Sequence, residues 1–235
     1  MKDTILFGDC RKTIPTITEP VKMCVTSPPY YGLRDYGGEE NQIGMEESPE
    51  KYVDQLVDVF RSVREVLTDD GTLWLNIGDS YYNYRSDGNY PKQTVSKTRQ
   101  DLPTKTPVRG NKLEGYKSKD LIGIPWLLAF ALRKDGWYLR QDIIWSKPNP
   151  MPESVRDRCT KSHEYIFLLS KSKNYYFDVD SIKESTIDGK GLKRKKSVWN
   201  IKTKPYKDAH FAAVSYTHLR AHETVLDLVC RLLLE

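Results

Sequence analysis

The stretch that decides the fold is Val21-Lys22-Met23-Cys24-Val25-Thr26-Ser27-Pro28-Pro29-Tyr30. Its first six residues predict a strand, which the two prolines stop because they fix the backbone and remove two donors. In an open α/β sheet, ligands bind beyond the carboxyl ends of strands. We therefore expect Ser27 and Tyr30 to lie at a functional edge of the sheet. We also expect the carbonyl groups around the prolines to be unpaired and ready to accept hydrogen bonds.

The segments after this turn predict an alternation of helices and strands. Ser48-Pro49-Glu50 has the residue types of a helix start, and apolar residues then recur at helical spacing as far as Leu67. A second helix and four further strands are expected, the helix from Ile124 and the strands over residues 4–7, 72–77, 137–145 and 164–169. This order predicts an α/β fold, a Rossmann-like three-layer sandwich with a mostly parallel sheet.

Length and composition are those of a globular protein with a substantial core. The chain has 235 residues, of which 38% are hydrophobic. It contains no apolar run of about 18 residues that would predict a membrane span, and its N-terminus does not resemble a signal peptide. Its four cysteines stand far apart without metal-ligand spacing. We therefore expect a cytoplasmic protein with no metal site and no disulfide framework.

Positive charge is concentrated in two segments. Residues 190–207 contain eight Lys or Arg and no acid, and residues 85–119 contain nine Lys or Arg against three acids. Such segments are either solvated loops or contacts for a polyanion, and nucleic acid is the first polyanion to consider. The long segment 80–119 has almost no aliphatic residues, which is typical of a functional or disordered insertion.

The turn at residues 26–30 has the groups needed to hold a planar ring that carries an amino group. Backbone carbonyls and the Ser27 hydroxyl can accept the amino hydrogens, and the Tyr30 ring offers a face for stacking. A purely structural Pro-Pro turn is the alternative. Thr26-Ser27-Pro28-Pro29-Tyr30 is also the first of several segments that together resemble one enzyme family; the others are Gly8-Asp9-Cys10 and residues 31–36, 70–79, 136–149, 161–165, 197–199 and 210–212.

These segments resemble the amino-directed DNA methyltransferases, which methylate cytosine N4 or adenine N6. The resemblance covers most of residues 1–213, and the order of its motifs is similar to that of the permuted group, with the catalytic motif first. It implies S-adenosyl-L-methionine as cofactor and a catalytic turn at Ser27, Pro28, Pro29 and Tyr30. Hydrogen bonds to the Ser27 hydroxyl and the Pro28 carbonyl would free the amino lone pair for attack on the methyl group, with the flipped base on Tyr30. No covalent cysteine intermediate is implied.

The resemblance also implies contacts outside the catalytic turn. Asp9 lies near the cofactor in the family, and Phe211 is a candidate cofactor contact, with a turn aspartate and core packing as the respective alternatives. Asp79 is expected near the cleft or as a helix cap, and His163 as a residue that positions a loop. Candidate contacts to the phosphates of double-stranded DNA are Lys92, Lys97, Arg99, Lys105, Arg109 and Lys147. For Lys147, a surface lysine without such a contact is the alternative.

Several functional alternatives stay open at this point. Serine in the first position of the motif favours cytosine N4, and adenine N6 is the alternative. A catalytically inactive DNA-binding fragment is a second alternative, and a methyltransferase acting on protein or RNA is a third, which Ser27 disfavours. A cognate restriction endonuclease is a candidate partner, and a bacterial, archaeal or phage origin is expected.

The final residues depart from the family pattern. We expect a catalytic domain over residues 1–213, with the basic insertion at 80–119, and an unrelated tail over 214–235. The family's glycine-rich cofactor turn is missing from this tail, so the expectation is a truncated enzyme with weak or no activity. Helical spacing of Val225, Leu228, Val229 and Leu232 is compatible with a helix in the tail.

Overall fold

The computed structural model describes residues 6–32, 42–82 and 113–202, together with the backbone of residues 229–231. Three α-helices occur in these ranges: α1 (Cys10–Thr13), α2 (Pro49–Val66) and α3 (Ile124–Lys134). A 3-10 turn at Ile14–Thr16 follows α1. The strands are β1 (Val21–Thr26), β2 (Leu67–Ile77), β3 (Tyr138–Ser146), β4 (His163–Ser170), β5 (Glu184–Ser185), β6 (Leu192–Lys193), β7 (Val198–Asn200) and β8 (Val229–Arg231).

Six of these strands form one sheet, in the order β7-β3-β4-β2-β1-β8. Strand β1 runs parallel to β2 and to β8, and β3 runs parallel to β7. Strand β4 is antiparallel to both of its neighbours, β2 and β3. Five strands therefore share one direction and β4 alone is reversed, which confirms the α/β class and the mostly parallel sheet.

Helix α2 begins where its sequence predicts. The Ser48 side chain accepts a hydrogen bond from the Lys51 amide, and Pro49 occupies the first helical position. Its buried stripe includes Tyr52, Leu56 and Phe60, which are at most 1% exposed. This stripe packs in the main core with the apolar face of α3, so both helices cover the same face of the sheet.

Alternation along the strands divides the core into two clusters. Leu73, Leu75 and Ile77 of β2 belong to the main core with the helices, whereas Trp74 points to the opposite face. There Trp74 stacks on Trp199 and on Phe177, with ring centroids 6.2 Å apart in each pair. Residues 71–75 of β2 are thus buried on both faces of the sheet, which fits the apolar run Leu73-Trp74-Leu75.

Some boundaries differ from the sequence predictions. Strand β2 already begins at Leu67, so Asp70-Gly71 lies within the strand instead of between helix and strand. Residues 6 and 7 are not in a strand, while residues 4 and 5 lie outside the described ranges. The helix considered for the tail is wrong at residues 229–231, because their backbone pairs with β1 as β8.

No helix in the described ranges is both long enough and apolar enough to cross a membrane.

The core packing gives a test of the fold. Phe60 is 1% exposed in the main core, so Phe60→Ala should lower the free energy of unfolding by about 3–5 kcal/mol. Phe7 is 87% exposed, and Phe7→Ala should change that free energy by less than about 0.5 kcal/mol. Urea denaturation followed by tryptophan fluorescence measures both, and equal losses in the two variants would contradict this packing.

Candidate active site

The direction of the strands brings four segments to one edge of the sheet. Because β1, β2 and β3 run the same way, Ser27, Gly78 and Lys147 follow the strands at the same edge. Because β4 is reversed, its amino end lies there as well, and with it Glu164. Residues separated by more than 130 positions in the sequence therefore meet around the turn at residues 27–30.

The turn at residues 27–30 follows β1 directly, as predicted. Pro28 is buried, and Ser27, Pro29 and Tyr30 are partly buried. The expectation that the carbonyls around the prolines are unpaired is wrong for Pro29, whose oxygen accepts a hydrogen bond of 2.7 Å from the Tyr52 hydroxyl. Within the described part of the chain, no donor contacts the Pro28 oxygen. Tyr52 on α2 thus fixes the Pro29 carbonyl.

The Tyr30 hydroxyl lies at the centre of a buried network. It donates a hydrogen bond of 2.7 Å to Glu164 Oε2, and Asn76 Oδ1 lies 3.2 Å away. The Ser27 hydroxyl lies 3.5 Å from the same oxygen. Burial and then the charge of Glu164 raise the pKa of Tyr30 well above its usual value. The phenol therefore keeps its proton and acts as a donor to Glu164.

The ring of Tyr30 fits only because residue 78 is glycine. A Cβ atom placed on Gly78 would lie 2.6 Å from Tyr30 Cε2, closer than carbon atoms approach in folded proteins. One edge of the ring is therefore packed against the backbone that follows β2, while its hydroxyl is anchored to β4. Sequence analysis assigned Tyr30 to stacking on the flipped base, and that role stays a prediction.

Lys147 and Glu164 form an ion pair behind the Tyr30 hydroxyl. Lys147 Nζ contacts Glu164 Oε1 and lies 4.5 Å from the centroid of the Trp145 ring. Both charged side chains are largely buried, with 20% and 17% of their surface exposed. The candidate DNA contact at Lys147 thus has its amine bound to Glu164, and a contact to phosphate stays a prediction.

Asp79 acts as a cap for a helix that begins far along the chain. Its carboxylate accepts hydrogen bonds from the backbone amides of Gly123 and Ile124 at the start of α3, and from that of Ser80. A negative charge at a helix N-terminus is stabilising. Of the two roles considered for Asp79, the structure shows the cap. His163 packs edge-on against the Tyr165 ring, with centroids 5.4 Å apart.

Asp9 is occupied by local contacts. It caps α1 through the Arg11 amide, and its two carboxylate oxygens also accept hydrogen bonds from the Arg11 guanidinium at 2.7–3.0 Å. This arrangement, mainly the hydrogen bond from Arg11, lowers the pKa of Asp9. The structure therefore shows the turn aspartate that was the alternative interpretation, and a contact between Asp9 and a cofactor stays a prediction.

Two buried oxygens near the turn at residues 27–30 have no hydrogen-bond partner. Glu46 Oε2 accepts from the Gly44 amide at 2.9 Å, but Glu46 Oε1 and the Tyr31 hydroxyl are unpaired. Burial raises the pKa of Glu46, and the charges of Glu46 and Arg11 interact. An unpaired carboxylate oxygen and an unpaired phenol fit the ammonium and hydroxyl groups that S-adenosyl-L-methionine presents.

The remaining candidate residues cannot be placed. Phe211 and five of the candidate DNA contacts lie outside the described residues: Lys92, Lys97, Arg99, Lys105 and Arg109. Among the residues that the structure does describe, no group of three or more His, Cys, Asp or Glu is arranged to hold a metal ion.

Sequence reasoning missed five residues that surround the turn at residues 27–30: Glu46, Tyr52, Asn76, Gly78 and Glu164. The strongest available signal was at Glu164, a carboxylate at the entrance to a strand whose next residues are apolar. Gly78 also followed a predicted strand directly. Tyr52 gave no such signal, because its spacing fitted the buried stripe of a helix.

The contact between Gly78 and Tyr30 can be tested by a single methyl group. Gly78→Ala must displace the Tyr30 ring, so we expect it to lower the free energy of unfolding by about 1–3 kcal/mol. Gly191→Ala is the matched control, because nothing lies within 4 Å of a Cβ at that position. Chemical denaturation measures both variants, and a Gly78→Ala protein as stable as the control would contradict the geometry.

Burial of Glu46 predicts a dependence of stability on pH. Because its pKa is raised in the folded protein, its contribution to stability is complete at low pH and is lost as the pH rises through the folded pKa. Glu46→Gln should therefore make the free energy of unfolding fall less between about pH 4 and pH 7. Glu65→Gln, at an exposed position on α2, is the control. If the free energy of unfolding fell equally with pH in Glu46→Gln and in the unsubstituted chain, the prediction would be wrong.

Comparison with known proteins identifies relatives of this chain. Residues 21–227 match a family model described as DNA methylase. Over 214 residues the chain is 53% identical to the type II methyltransferase M.SmaI of Serratia marcescens, covering 88% of this chain and 70% of that protein. It is 48% identical to the type II methyltransferase M.Cfr9I of Citrobacter freundii, covering 89% of this chain and 67% of that protein.

Solved structures share the fold at low sequence identity. The PvuII DNA methyltransferase (cytosine-N4-specific) aligns with a TM-score of 0.54 and 13% identity, over 86% of this chain and 58% of that one. A Thermus thermophilus protein described as a putative DNA modification methylase, complexed with S-adenosyl-L-methionine, aligns with a TM-score of 0.51 and 19% identity over 84% of this chain and 66% of that one. The chain thus spans about two thirds of the length of its curated relatives. From the family match and the identity to these relatives, we conclude that the chain belongs to the DNA methylase family that comprises the N6-adenine and N4-cytosine methyltransferases.

Proposed function

We propose that this chain carries the catalytic turn of a type II methyltransferase that methylates the exocyclic amino group of a flipped base in double-stranded DNA, with cytosine N4 as the favoured position. The observation that supports this most is the pair of oxygens at the end of β1. The Ser27 hydroxyl and the Pro28 carbonyl follow one strand directly, and the neighbouring Pro29 carbonyl is taken up by Tyr52. Two acceptors for the two hydrogens of one amino group are thus left at this turn.

The chemistry requires these acceptors because an exocyclic amino group is a poor nucleophile. Its lone pair is delocalised into the ring, and hydrogen bonds from both amino hydrogens favour a tetrahedral nitrogen whose lone pair is free. S-adenosyl-L-methionine, the methyl donor of the family, supplies the electrophilic methyl group when bound. The chain's own contribution is to position the base and to supply fixed dipoles around the nitrogen.

The residues that would hold the cofactor lie around α1 and the loop before α2. Asp9 and Arg11 form an ion pair there, and Glu46 and Tyr31 contribute the unpaired buried oxygens. These groups suit a polar ligand with ammonium and hydroxyl groups. Phe211 is proposed as a further contact on the basis of the family resemblance.

The proposed partners are double-stranded DNA and a cognate restriction endonuclease. DNA is supported by the family and by the basic residues of segments 85–119 and 190–207. The relatives named above are type II methyltransferases, which supports the endonuclease. Methylation of adenine N6 and a DNA-binding fragment without activity remain the alternatives.

The proposal is tested by methyl transfer from labelled S-adenosyl-L-methionine to mixed-sequence duplex DNA. Two forms are assayed: the 235-residue chain, and residues 1–213 joined to the C-terminal segment of the Serratia marcescens relative. Ser27→Ala should reduce transfer at least about 100-fold, because it removes one of the two acceptors. Ser185→Ala, on the exposed side of β5, should leave the rate unchanged.

The identity of the labelled base decides between the alternatives. N4-methylcytosine supports the favoured base, and N6-methyladenine keeps the mechanism while replacing the base. No transfer by either form, combined with DNA binding that weakens steeply with salt, would favour the inactive DNA-binding fragment.

A further inference from the structure

We propose that Glu164 is a positioning residue for the catalytic turn: through the Tyr30 hydroxyl it sets the direction of the Ser27 hydrogen bond, so that the Ser27 oxygen faces the amino group as an acceptor. This inference deepens the proposed function and rests on it. It concerns the direction of hydrogen bonds, which follows from the donors and acceptors around one oxygen.

The position of the Tyr30 proton follows from the acceptors around it. The phenol has one proton, and two pure acceptors lie beside it, Glu164 Oε2 at 2.7 Å and Asn76 Oδ1 at 3.2 Å. The orientation of the Asn76 amide is fixed, because its Nδ2 donates to the Tyr165 carbonyl at 3.1 Å. Hydrogen bonds to a charged carboxylate are shorter and stronger than those to a neutral amide. The Tyr30 proton therefore points to Glu164.

The position of the Ser27 proton follows from that of the Tyr30 proton. With its own proton directed to Glu164, the Tyr30 oxygen can only accept from Ser27, which lies 3.5 Å away. The Ser27 proton then points to Tyr30, and the lone pairs of Ser27 remain for the substrate. This contact is long, and catalytic hydrogen bonds commonly shorten in the substrate complex.

Glu164 is itself held by an ion pair. Lys147 Nζ binds the other carboxylate oxygen of Glu164. Both side chains of this ion pair are largely buried. Lys161 and Asp79 lie close by, and the charges of both Asp79 and Glu164 act on Lys161. The ordered chain runs from Lys147 through Glu164 and Tyr30 to Ser27.

A tyrosine held only for its ring would behave differently. In that case Tyr30→Phe would keep the stacking surface and the methyl transfer rate. If the hydroxyl orients Ser27, Tyr30→Phe should slow transfer at saturating DNA by about tenfold or more, with little effect on the DNA concentration needed for half saturation.

The first experiment is nuclear magnetic resonance on the 235-residue chain with tyrosine labelled with carbon-13 at Cζ, the ring carbon bonded to the hydroxyl. Tyr30→Phe identifies the Tyr30 signal among the 15 tyrosines. That signal should shift in Glu164→Gln and also in Ser27→Ala, because each removes one hydrogen bond of the phenol. It should not shift in Glu184→Gln, which breaks the partly buried ion pair with Lys193 between β5 and β6, outside the six-stranded sheet. A Tyr30 signal unchanged in Glu164→Gln would overturn the proposal.

The second experiment is single-turnover methyl transfer in whichever form transfers methyl groups. Glu164→Gln should slow transfer about tenfold, because Lys147 attracts the amide oxygen and turns the amide NH₂ towards Tyr30. Adding Lys147→Met frees the amide to present its oxygen to Tyr30, and the rate at saturating DNA should partly recover. A rate unaffected by Glu164→Gln, or a double variant slower than the single one, would refute the proposal.

The two experiments separate the two claims. If no form of the protein transfers methyl groups, the proposed function fails, while the resonance of Tyr30 still decides whether Glu164 and Ser27 share its hydroxyl. If transfer occurs and the Tyr30 signal does not respond to Glu164→Gln, the function stands and the positioning role falls.

Discussion

The reversed direction of β4 is the constraint on which the site depends. Antiparallel pairing with β2 and β3 places the amino end of β4 at the edge where β1, β2 and β3 end. Only this arrangement puts Glu164 within hydrogen-bond distance of Tyr30, 134 positions away in the sequence. A wholly parallel sheet would send the amino end of β4 to the opposite edge, and the Tyr30 hydroxyl would lose its charged partner.

The hydrogen bond between Tyr30 and Glu164 is largely buried, which explains why several polar groups lie around this turn. A buried carboxylate is costly unless it is paired and hydrogen-bonded. Glu164 meets this requirement with Lys147 on one oxygen and Tyr30 on the other. Removing any one of these three side chains leaves a buried polar or charged group without its partner. We therefore expect the effects of substitutions at the three positions to be strongly coupled.

Sequence reasoning reached the fold and the turn but not the surroundings of the turn. The strand before Ser27, the helix from Pro49 and the class of the sheet follow from local patterns of apolar residues and prolines. The partners of Tyr30 depend on long-range pairing, which one sequence does not encode in any local spacing. Tyr52 illustrates the limit, because helical periodicity correctly predicted its burial but not that its hydroxyl would bind the Pro29 carbonyl.

The choice of serine at the first position of the motif has a physical consequence. A carboxylate at this position would be acceptor-only when ionised and would need no orientation, whereas a hydroxyl can donate as well as accept. A serine hydroxyl presents its lone pairs to the amino group when its own proton is directed elsewhere, to a neighbour. In this chain the neighbour is Tyr30, which can accept because Glu164 takes the phenol proton in turn. If Glu164 positions the turn as proposed, Ser27 and Glu164 act together, and a substitution at either residue changes the effect of the other.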